Sequence, residues 1–294
     1  MSAQVRQVSR RSILAMLPGL LSACTGADLL NATVPQDTYQ RTEGIAYGTH
    51  ERHRLDLYQP QPGTRAIRSC SSPLVVFFYG GSWSSGERAD FRFVGEALAS
   101  QGIVTLIADY RLSPAYRYPV FLHDSALAVR WAYDHAGQYG GDPARLFVMG
   151  HSAGAYNAAM VALDARWLAP LGMRPAQLAG WIGLAGPYDF LPIIDSQTRV
   201  AFDWPNTPAD SQPLVHATSQ SPPALLLAPV HDRVVDPRRS TESMALKLRE
   251  SGVRVESQLL GGVGHVTLVA SMAPVLRSRS PVLARVRAFV GANH

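Results

Sequence analysis

Residues 146–160, LFVMGHSAGAYNAAM, decide the fold, because an apolar run leads through Gly-His-Ser-Ala-Gly into an alanine-rich helical pattern. The glycines at positions 150 and 154 indicate a backbone that turns sharply, and Ser152 stands at the centre of that turn. The pentapeptide alone is a weak signal, because such a sequence also arises by chance. Its position between an apolar run and a helix predicted over Ala153–Leu163 favours a strand, a tight turn and a helix that together display the serine hydroxyl.

Apolar runs alternate with helical patterns along the rest of the chain. The runs that predict buried strands are residues 73–81, 103–110, 146–150, 179–186 and 223–230. Short, fully apolar strands separated by helices indicate a mostly parallel sheet with helices on both faces. The predicted fold class is therefore α/β, in one domain over residues 45–294. A chain of 294 residues that is 47% apolar is able to bury such a core.

Chemically active side chains follow several of the predicted strands. Ligands of an open parallel sheet bind beyond the carboxyl ends of its strands. Ser152, Asp232 and His265 each come shortly after such an end. The architecture therefore brings them to one edge of the sheet, where a serine hydroxyl finds the base that it needs to act as a nucleophile.

His265 is the candidate base among the nine histidines of the chain. It lies in GGVGHVTL, residues 261–268, where glycines leave the loop free to bring an imidazole inward. His151 belongs to the turn around Ser152 and is expected to point away from the face of the serine. The alternative interpretation of His265 is a surface loop histidine without a role.

Two aspartates in PVHDRVVDP, residues 229–237, compete for the acid. The acid must orient the histidine ring and stabilise its charged form, so it belongs in the loop just after a strand. Asp232 lies at that place. Asp236 directly precedes Pro237 and a helical pattern, which predicts a carboxylate that caps the first turn of a helix. We therefore assign the acid to Asp232.

A second glycine-rich stretch, YGGSW over residues 79–83, follows an earlier strand. Glycines there let the backbone approach a substrate and direct N–H groups at a developing oxyanion. The expected oxyanion-hole donors are the N–H groups of Gly81, Ser82 and Ala153, and the alternative is a loop without a catalytic role. Metal-ligand spacings and a dinucleotide glycine fingerprint are both absent from the sequence, so no metal and no cofactor is expected.

Several stretches together resemble α/β-hydrolases of the esterase/lipase group related to hormone-sensitive lipase, near the carboxylesterase and kynurenine formamidase branch. They are YGGSW, ADYRLSP, YGGDPARLFVMGHSAGA, AGPYDF, HDRVVDP and GVGH, within residues 45–290. The resemblance implies an α/β-hydrolase fold and acyl transfer by Ser152, His265 and Asp232 through an acyl-enzyme. The chain departs from the family at Tyr79, where a histidine usually braces the loop; a tyrosine hydroxyl is able to do the same.

The expected function is the hydrolysis of carboxylic esters with small to medium acyl groups, by a carboxylesterase-like serine hydrolase. Residues 186–222 are longer than an ordinary connection and predict a short cap over the site. Phe190, Phe202 and Trp204 either line an acyl pocket or form the core of that cap. An amide hydrolase of formamidase or peptidase type is a second hypothesis, because one triad serves esters and amides. A non-catalytic envelope lipoprotein is a third.

The N-terminus has the features of a bacterial export signal. SRRSIL, residues 9–14, resembles a twin-arginine signal, and LSAC, residues 21–24, resembles a lipobox. We expect a signal peptide over residues 1–23, a lipid on Cys24 and a polar tether over residues 24–44. The expected location is the periplasmic face of the cell envelope. Because Thr25 rather than an Asp follows Cys24, the pattern resembles sorting to the outer membrane. The alternative is a cleaved signal in which Cys24 is incidental.

The net charge of +5 does not indicate a nucleic-acid partner. Three positive charges, Arg6, Arg10 and Arg11, lie in the first 23 residues, which contain no acid, so the rest carries a formal charge of +2. So small a charge is not the footprint of a polyanion-binding surface. The expected partners are a small-molecule ester and, through the lipid, a membrane. The sequence indicates no oligomeric state.

Overall fold

The computed structural model describes residues 26–62 and 71–292. The predicted signal peptide over residues 1–23 and the predicted lipid attachment at Cys24 lie outside the described residues. In the part of the chain that is described, no helix is long and apolar enough to cross a membrane.

One sheet of eight strands runs through the described residues, in the order β1-β2-β4-β3-β5-β6-β7-β8. The strands are β1 (Tyr39–Ala46), β2 (Arg54–Pro60), β3 (Ser72–Phe78), β4 (Val104–Ala108), β5 (Gly141–His151), β6 (Gly180–Leu184), β7 (Ala224–Pro229) and β8 (Val255–Leu260). β1 and β4 both pair antiparallel with β2, and the other neighbouring strands pair parallel. The predicted mostly parallel sheet is therefore confirmed.

Helices pack on the sheet from both sides. The helices of the described residues are α1 (Gly26–Ala32), α2 (Arg92–Ala99), α3 (Val120–His135), α4 (Ala153–Leu163), α5 (Ala165–Leu168), α6 (Ser196–Ala201), α7 (Ser243–Glu250), α8 (His265–Ala270) and α9 (Val282–Ala292). Of these, α2, α3, α4, α7, α8 and α9 contact the sheet directly. α2 packs against α9, and α3 packs against α4. Every residue of β4, β6 and β7 is buried, which is why these strands are continuous apolar runs in the sequence.

The N-terminal part of the described chain is folded, whereas the sequence predicted a polar tether over residues 24–44. The side chain of Asn31 in α1 accepts a hydrogen bond from the N–H of Phe93 at 3.1 Å and donates to the carbonyl of Ala89 at 2.9 Å. It therefore satisfies a free N–H group in the first turn of α2. β1 follows and pairs with β2, with Tyr39 buried against Tyr58. Within the described residues, folded structure is thus present from Gly26 onwards, ahead of residue 45.

The connection between β6 and β7 forms the short cap that the sequence predicted. It contains α6 and brief 3-10 turns over Ala209–Ser211 and Pro213–His216. In the C-terminal region, α8 begins at His265 and precedes α9.

Candidate active site

The turn between β5 and α4 holds Ser152 in a backbone conformation that side-chain-bearing residues rarely adopt, with φ 54° and ψ −122°. A Cβ atom at Gly150 would lie 2.1 Å from the carbonyl oxygen of Gly154, and one at Gly154 would lie 2.0 Å from the carbonyl oxygen of Phe78. A side chain at either position would collide with the neighbouring backbone. The glycines therefore permit the turn, and the turn presents the hydroxyl of Ser152 at the carboxyl edge of the sheet.

The structure brings the predicted nucleophile, base and acid into one hydrogen-bonded chain. Nε2 of His265 lies 2.8 Å from Oγ of Ser152, and Nδ1 of the same ring lies 2.7 Å from Oδ2 of Asp232. The side chain of His265 is 10% exposed and that of Asp232 is 0% exposed. One imidazole thus connects a serine hydroxyl with a carboxylate that solvent does not reach.

Asp232, and not Asp236, contacts His265. Burial opposes ionisation of the Asp232 carboxyl, but the hydrogen bond to His265 and the backbone N–H groups of Val234 and Val235 outweigh it, so the pKa of Asp232 lies below its usual value. The carboxylate of Asp236 instead accepts the N–H groups of Arg238 and Arg239 at 2.9 and 3.3 Å. Asp236 therefore caps the start of the helical segment that leads into α7, as its position before a proline predicted.

His151 lies beside the base, a contact that the sequence did not indicate. Its Nε2 lies 2.9 Å from the carbonyl oxygen of His265, and the two ring centres are 5.0 Å apart. The residues are 114 positions apart, so no local pattern links them. Their contact follows only from the way that the turn after β5 meets the loop after β8.

The YGGSW loop lies against Ser152. A Cβ atom at Gly80 would be 2.9 Å from Cβ of Ser152. The next three residues, Gly81, Ser82 and Trp83, all have positive φ angles, of 130°, 49° and 53°. The carbonyl of Gly81 accepts the N–H groups of residues 84 and 85, which closes the loop into a tight turn.

The expected oxyanion-hole donors differ in their exposure to the cavity. Ser82 and Ala153 line the cavity together with Ser152. Gly81, the residue before Ser82, is not one of the residues that line it. Ala153 is also the first residue of α4, whose free N–H groups carry partial positive charge at that end. An anion forming next to Ser152 would therefore lie at the positive end of α4.

Tyr79 braces this loop through its hydroxyl. The hydroxyl donates to Oδ1 of Asp109 at 2.8 Å and accepts from Nη2 of Arg52 at 2.7 Å. Burial, together with the charge of Asp109, raises the pKa of Tyr79. The ring stacks on Phe91 and Tyr110 at centre distances of 5.5 and 4.9 Å. The tyrosine thus connects the start of the loop with a buried carboxylate.

A cavity of about 580 Å³ opens at Ser152 beneath the cap. Its walls include Trp83 from the YGGSW loop, and Phe190 and Ile193 from the cap. Phe190 therefore faces the cavity. Phe202 is instead a core residue, packed on the ring of Trp83 at 4.8 Å, and Trp204 is partly buried against the same core.

Five charged side chains line the cavity, and two of them, Arg239 and Asp189, form an ion pair. Arg239 forms two hydrogen bonds to the carboxylate of Asp189, at 3.0 and 3.1 Å. Asp195 accepts the N–H and the hydroxyl of Thr198 at the start of α6. Arg233 is exposed at the cavity and follows directly after Asp232.

The sheet topology, the serine turn and the cap together define an α/β-hydrolase of the esterase/lipase group, as the sequence motifs predicted. The chain belongs to the BD-FAE family, whose model matches residues 55–248.

Curated relatives carry esterase names. An isoprenylcysteine alpha-carbonyl methylesterase of Arabidopsis thaliana is 31% identical over 160 residues, which cover 53% of this chain and 36% of the relative. The esterase LipC of Mycobacterium tuberculosis is 28% identical over 246 residues, which cover 77% of this chain and 60% of the relative. The chain thus spans less than two thirds of the length of either relative.

Solved esterase structures share the fold. An arylesterase superposes with a TM-score of 0.71 at 24% identity, covering 91% of this chain and 89% of the other. A truncated carbohydrate esterase from gut microbiota superposes with a TM-score of 0.73 at 17% identity, covering 88% of this chain and 98% of the other.

Proposed function

We propose that the protein is a serine hydrolase of carboxylic esters, with Ser152 as nucleophile, His265 as general base and Asp232 as the acid that orients the base. The observation that carries the proposal is the chain of hydrogen bonds from Ser152 through His265 to Asp232, at 2.8 and 2.7 Å. The esterase names of the curated relatives support an ester as substrate. The same chain of bonds counts against a non-catalytic envelope lipoprotein.

In the acylation step, Nε2 of His265 accepts the hydroxyl proton of Ser152 while Oγ attacks the ester carbonyl. The negative charge on the tetrahedral oxygen is stabilised by backbone N–H groups, for which Gly81, Ser82 and Ala153 are the candidates. The imidazolium then donates its proton to the departing alcohol. Asp232 stays ionised and stabilises the charged ring, in keeping with its lowered pKa.

In the deacylation step, water replaces the alcohol. His265 accepts a proton from that water, whose oxygen attacks the acyl-enzyme carbonyl, and returns the proton to Oγ of Ser152 as the acid leaves. The step needs no group beyond the three side chains, the N–H donors and water.

The size of the cavity supports small to medium acyl groups. A volume of about 580 Å³ lies within the usual range for small-molecule sites, and the aromatic walls of Trp83 and Phe190 suit an apolar group. The test is a panel of p-nitrophenyl acyl esters of increasing chain length beside an N-formyl aromatic amide. We expect short and medium esters to react fastest. A preference for the amide would instead support a formamidase-type hydrolase, and a rate that rises steadily with chain length would indicate a lipase.

We also propose that the enzyme is exported and held at the periplasmic face of the bacterial envelope by a lipid on Cys24. The support is the sequence alone, namely the twin-arginine-like SRRSIL and the lipobox-like LSAC. Because the described fold begins at Gly26, two residues after Cys24, such a lipid would hold the domain close to the membrane surface.

A further inference from the structure

His151 directly precedes the nucleophile in the chain and contacts the backbone of the base. The acyl transfer described above assigns it no role. His151 is the last residue of β5, directly before Ser152, and is 5% exposed. We propose that His151 is a positioning residue: its Nε2–H donates to the carbonyl oxygen of His265, 2.9 Å away, and fixes the backbone of the base relative to Ser152. This inference rests on the proposed roles of Ser152 and His265.

In the loop that carries His265, Val263 packs against the core, and the other three residues are glycines. The loop runs from the end of β8 at Leu260 to the start of α8 and contains Gly261, Gly262 and Gly264. A methyl group added at Gly261 or Gly262 would meet no atom within 4 Å. The position of the base therefore depends on the packing of Val263 and of α8 and on hydrogen bonds from other segments.

The hydrogen bonds from other segments to His265 have different fates during turnover. The bond to Ser152 is lost in the acyl-enzyme, because Oγ then carries the acyl group in place of a proton. The bond to Asp232 holds the ring at Nδ1. The bond from His151 holds the main chain of the same residue and takes no part in proton transfer. Ring and backbone are thus fixed at two points while water attacks the acyl-enzyme.

The charge state of His151 suits this task. A carbonyl oxygen only accepts, so Nε2 of His151 must carry the proton. Burial and the charge of the neighbouring His265 lower the pKa of His151 to about 3. The hydrogen bond to the His265 carbonyl and the charge of Asp232 act in the opposite direction. His151 is therefore a neutral donor at neutral pH. It adds no positive charge next to the imidazolium that forms on His265 during the reaction.

The test compares two polar substitutions that differ in reach. In His151→Gln the side-chain amide nitrogen stands at about the position of Nε2, whereas in His151→Asn it stands nearer the backbone and does not reach the carbonyl. A displacement of about 1 Å costs on the order of 100-fold in rate. We therefore expect His151→Asn to lower kcat on a p-nitrophenyl ester by roughly 10- to 100-fold, with KM equal or lower, and His151→Gln to recover most of the loss.

A matched control is available at His135. Its Nδ1 also lies 2.8 Å from a backbone carbonyl, that of Trp131, but within α3. His135→Asn is expected to leave kcat and KM unchanged. Thermal unfolding of each variant identifies those that are folded.

Equal kcat for folded His151→Asn and His151→Gln would overturn the proposal, and so would a loss confined to a raised KM. In either case Ser152→Ala would still be inactive, so the proposed function would stand. Turnover by Ser152→Ala would overturn the proposed function, and the role of His151 with it.

Discussion

Asp232 and Asp236 both accept backbone N–H groups, but only Asp232 also contacts an imidazole. Asp232→Asn is expected to lower kcat by roughly 10²- to 10⁴-fold, because an amide leaves His265 in the wrong tautomer. Asp236→Asn is expected to cost at most a few tenths of a kcal/mol, because asparagine caps a helix nearly as well as aspartate. Kinetics and urea unfolding of both variants check the pair. Loss of activity in folded Asp236→Asn with normal activity in Asp232→Asn would reverse the assignment.

Because the pKa of His151 is lowered in the folded protein, the free energy of unfolding is expected to depend on pH. Since the folded pKa is about 3 and the usual value is 6.5, the unfolded chain binds more protons between these two pH values. The contribution of His151 to the free energy of unfolding is therefore fully present above about pH 6.5. It is lost as the pH falls towards 3, by up to about 1.4 kcal/mol per pH unit.

Urea unfolding of the native protein and of His151→Gln, at about pH 7 and about pH 4.5, measures this effect. Asp232 acts in the same direction in both proteins, so their difference isolates the histidine. The native protein should lose more stability on acidification than the variant. Parallel losses in the two proteins would show that His151 is protonated in the folded state.

At the scale of elements, the hydroxyl of Tyr79 holds the start of the YGGSW loop, and the hydrogen bond from Trp83 to Asn157 holds its end. Tyr79→Phe removes a donor to Asp109 and an acceptor for Arg52, although Arg88 still pairs with that carboxylate. The expected cost is about 1–3 kcal/mol of unfolding free energy. We also expect kcat to fall more than KM rises, because two of the three candidate oxyanion donors, Gly81 and Ser82, lie on this loop. A variant with normal stability and normal kcat would show that stacking on Phe91 and Tyr110 is sufficient.

The elements that the sequence predicted well are those that local pattern specifies. The run at residues 223–230 corresponds to β7 (Ala224–Pro229), and the helix predicted after the serine turn is α4 (Ala153–Leu163). α1 was not predicted from the sequence, because Asn31 holds it in place. The hydrogen-bond partners of Asn31 are Ala89 and Phe93, about sixty residues away. The same holds for the contact of His151 with His265. Polar contacts between distant segments leave no periodicity in the sequence.

At the scale of the whole molecule, the parallel topology allowed the site to be predicted, because it gathers the carboxyl ends of β5, β7 and β8 at one edge. Three side chains from distant parts of the chain were thereby placed together from the sequence. The role of Phe190 was not decided in this way. Which face of a cap residue meets the cavity depends on how the cap packs, and the sequence pattern of residues 186–222 does not specify it.

The envelope proposal has its own test at this scale. Cys24→Ser is expected to release the protein from the membrane fraction of the bacterium that makes it, because the lipid supplies the attachment. Intact-mass measurement of the native protein should show an N-terminus at Cys24 that carries acyl chains. An unmodified N-terminus at another residue would contradict the anchor and leave the proposed hydrolase unaffected.

The proposed activity depends on Ser152 as the nucleophile, activated by His265. The most direct measurement is reaction with a fluorophosphonate ester, followed by peptide mass mapping of the modified protein. We expect an adduct on Ser152 with parallel loss of esterase activity, no adduct in Ser152→Ala, and a rate of modification lowered by on the order of 10³-fold or more in His265→Ala. Full esterase activity in Ser152→Ala, or inactivation with the adduct on another residue, would contradict this assignment.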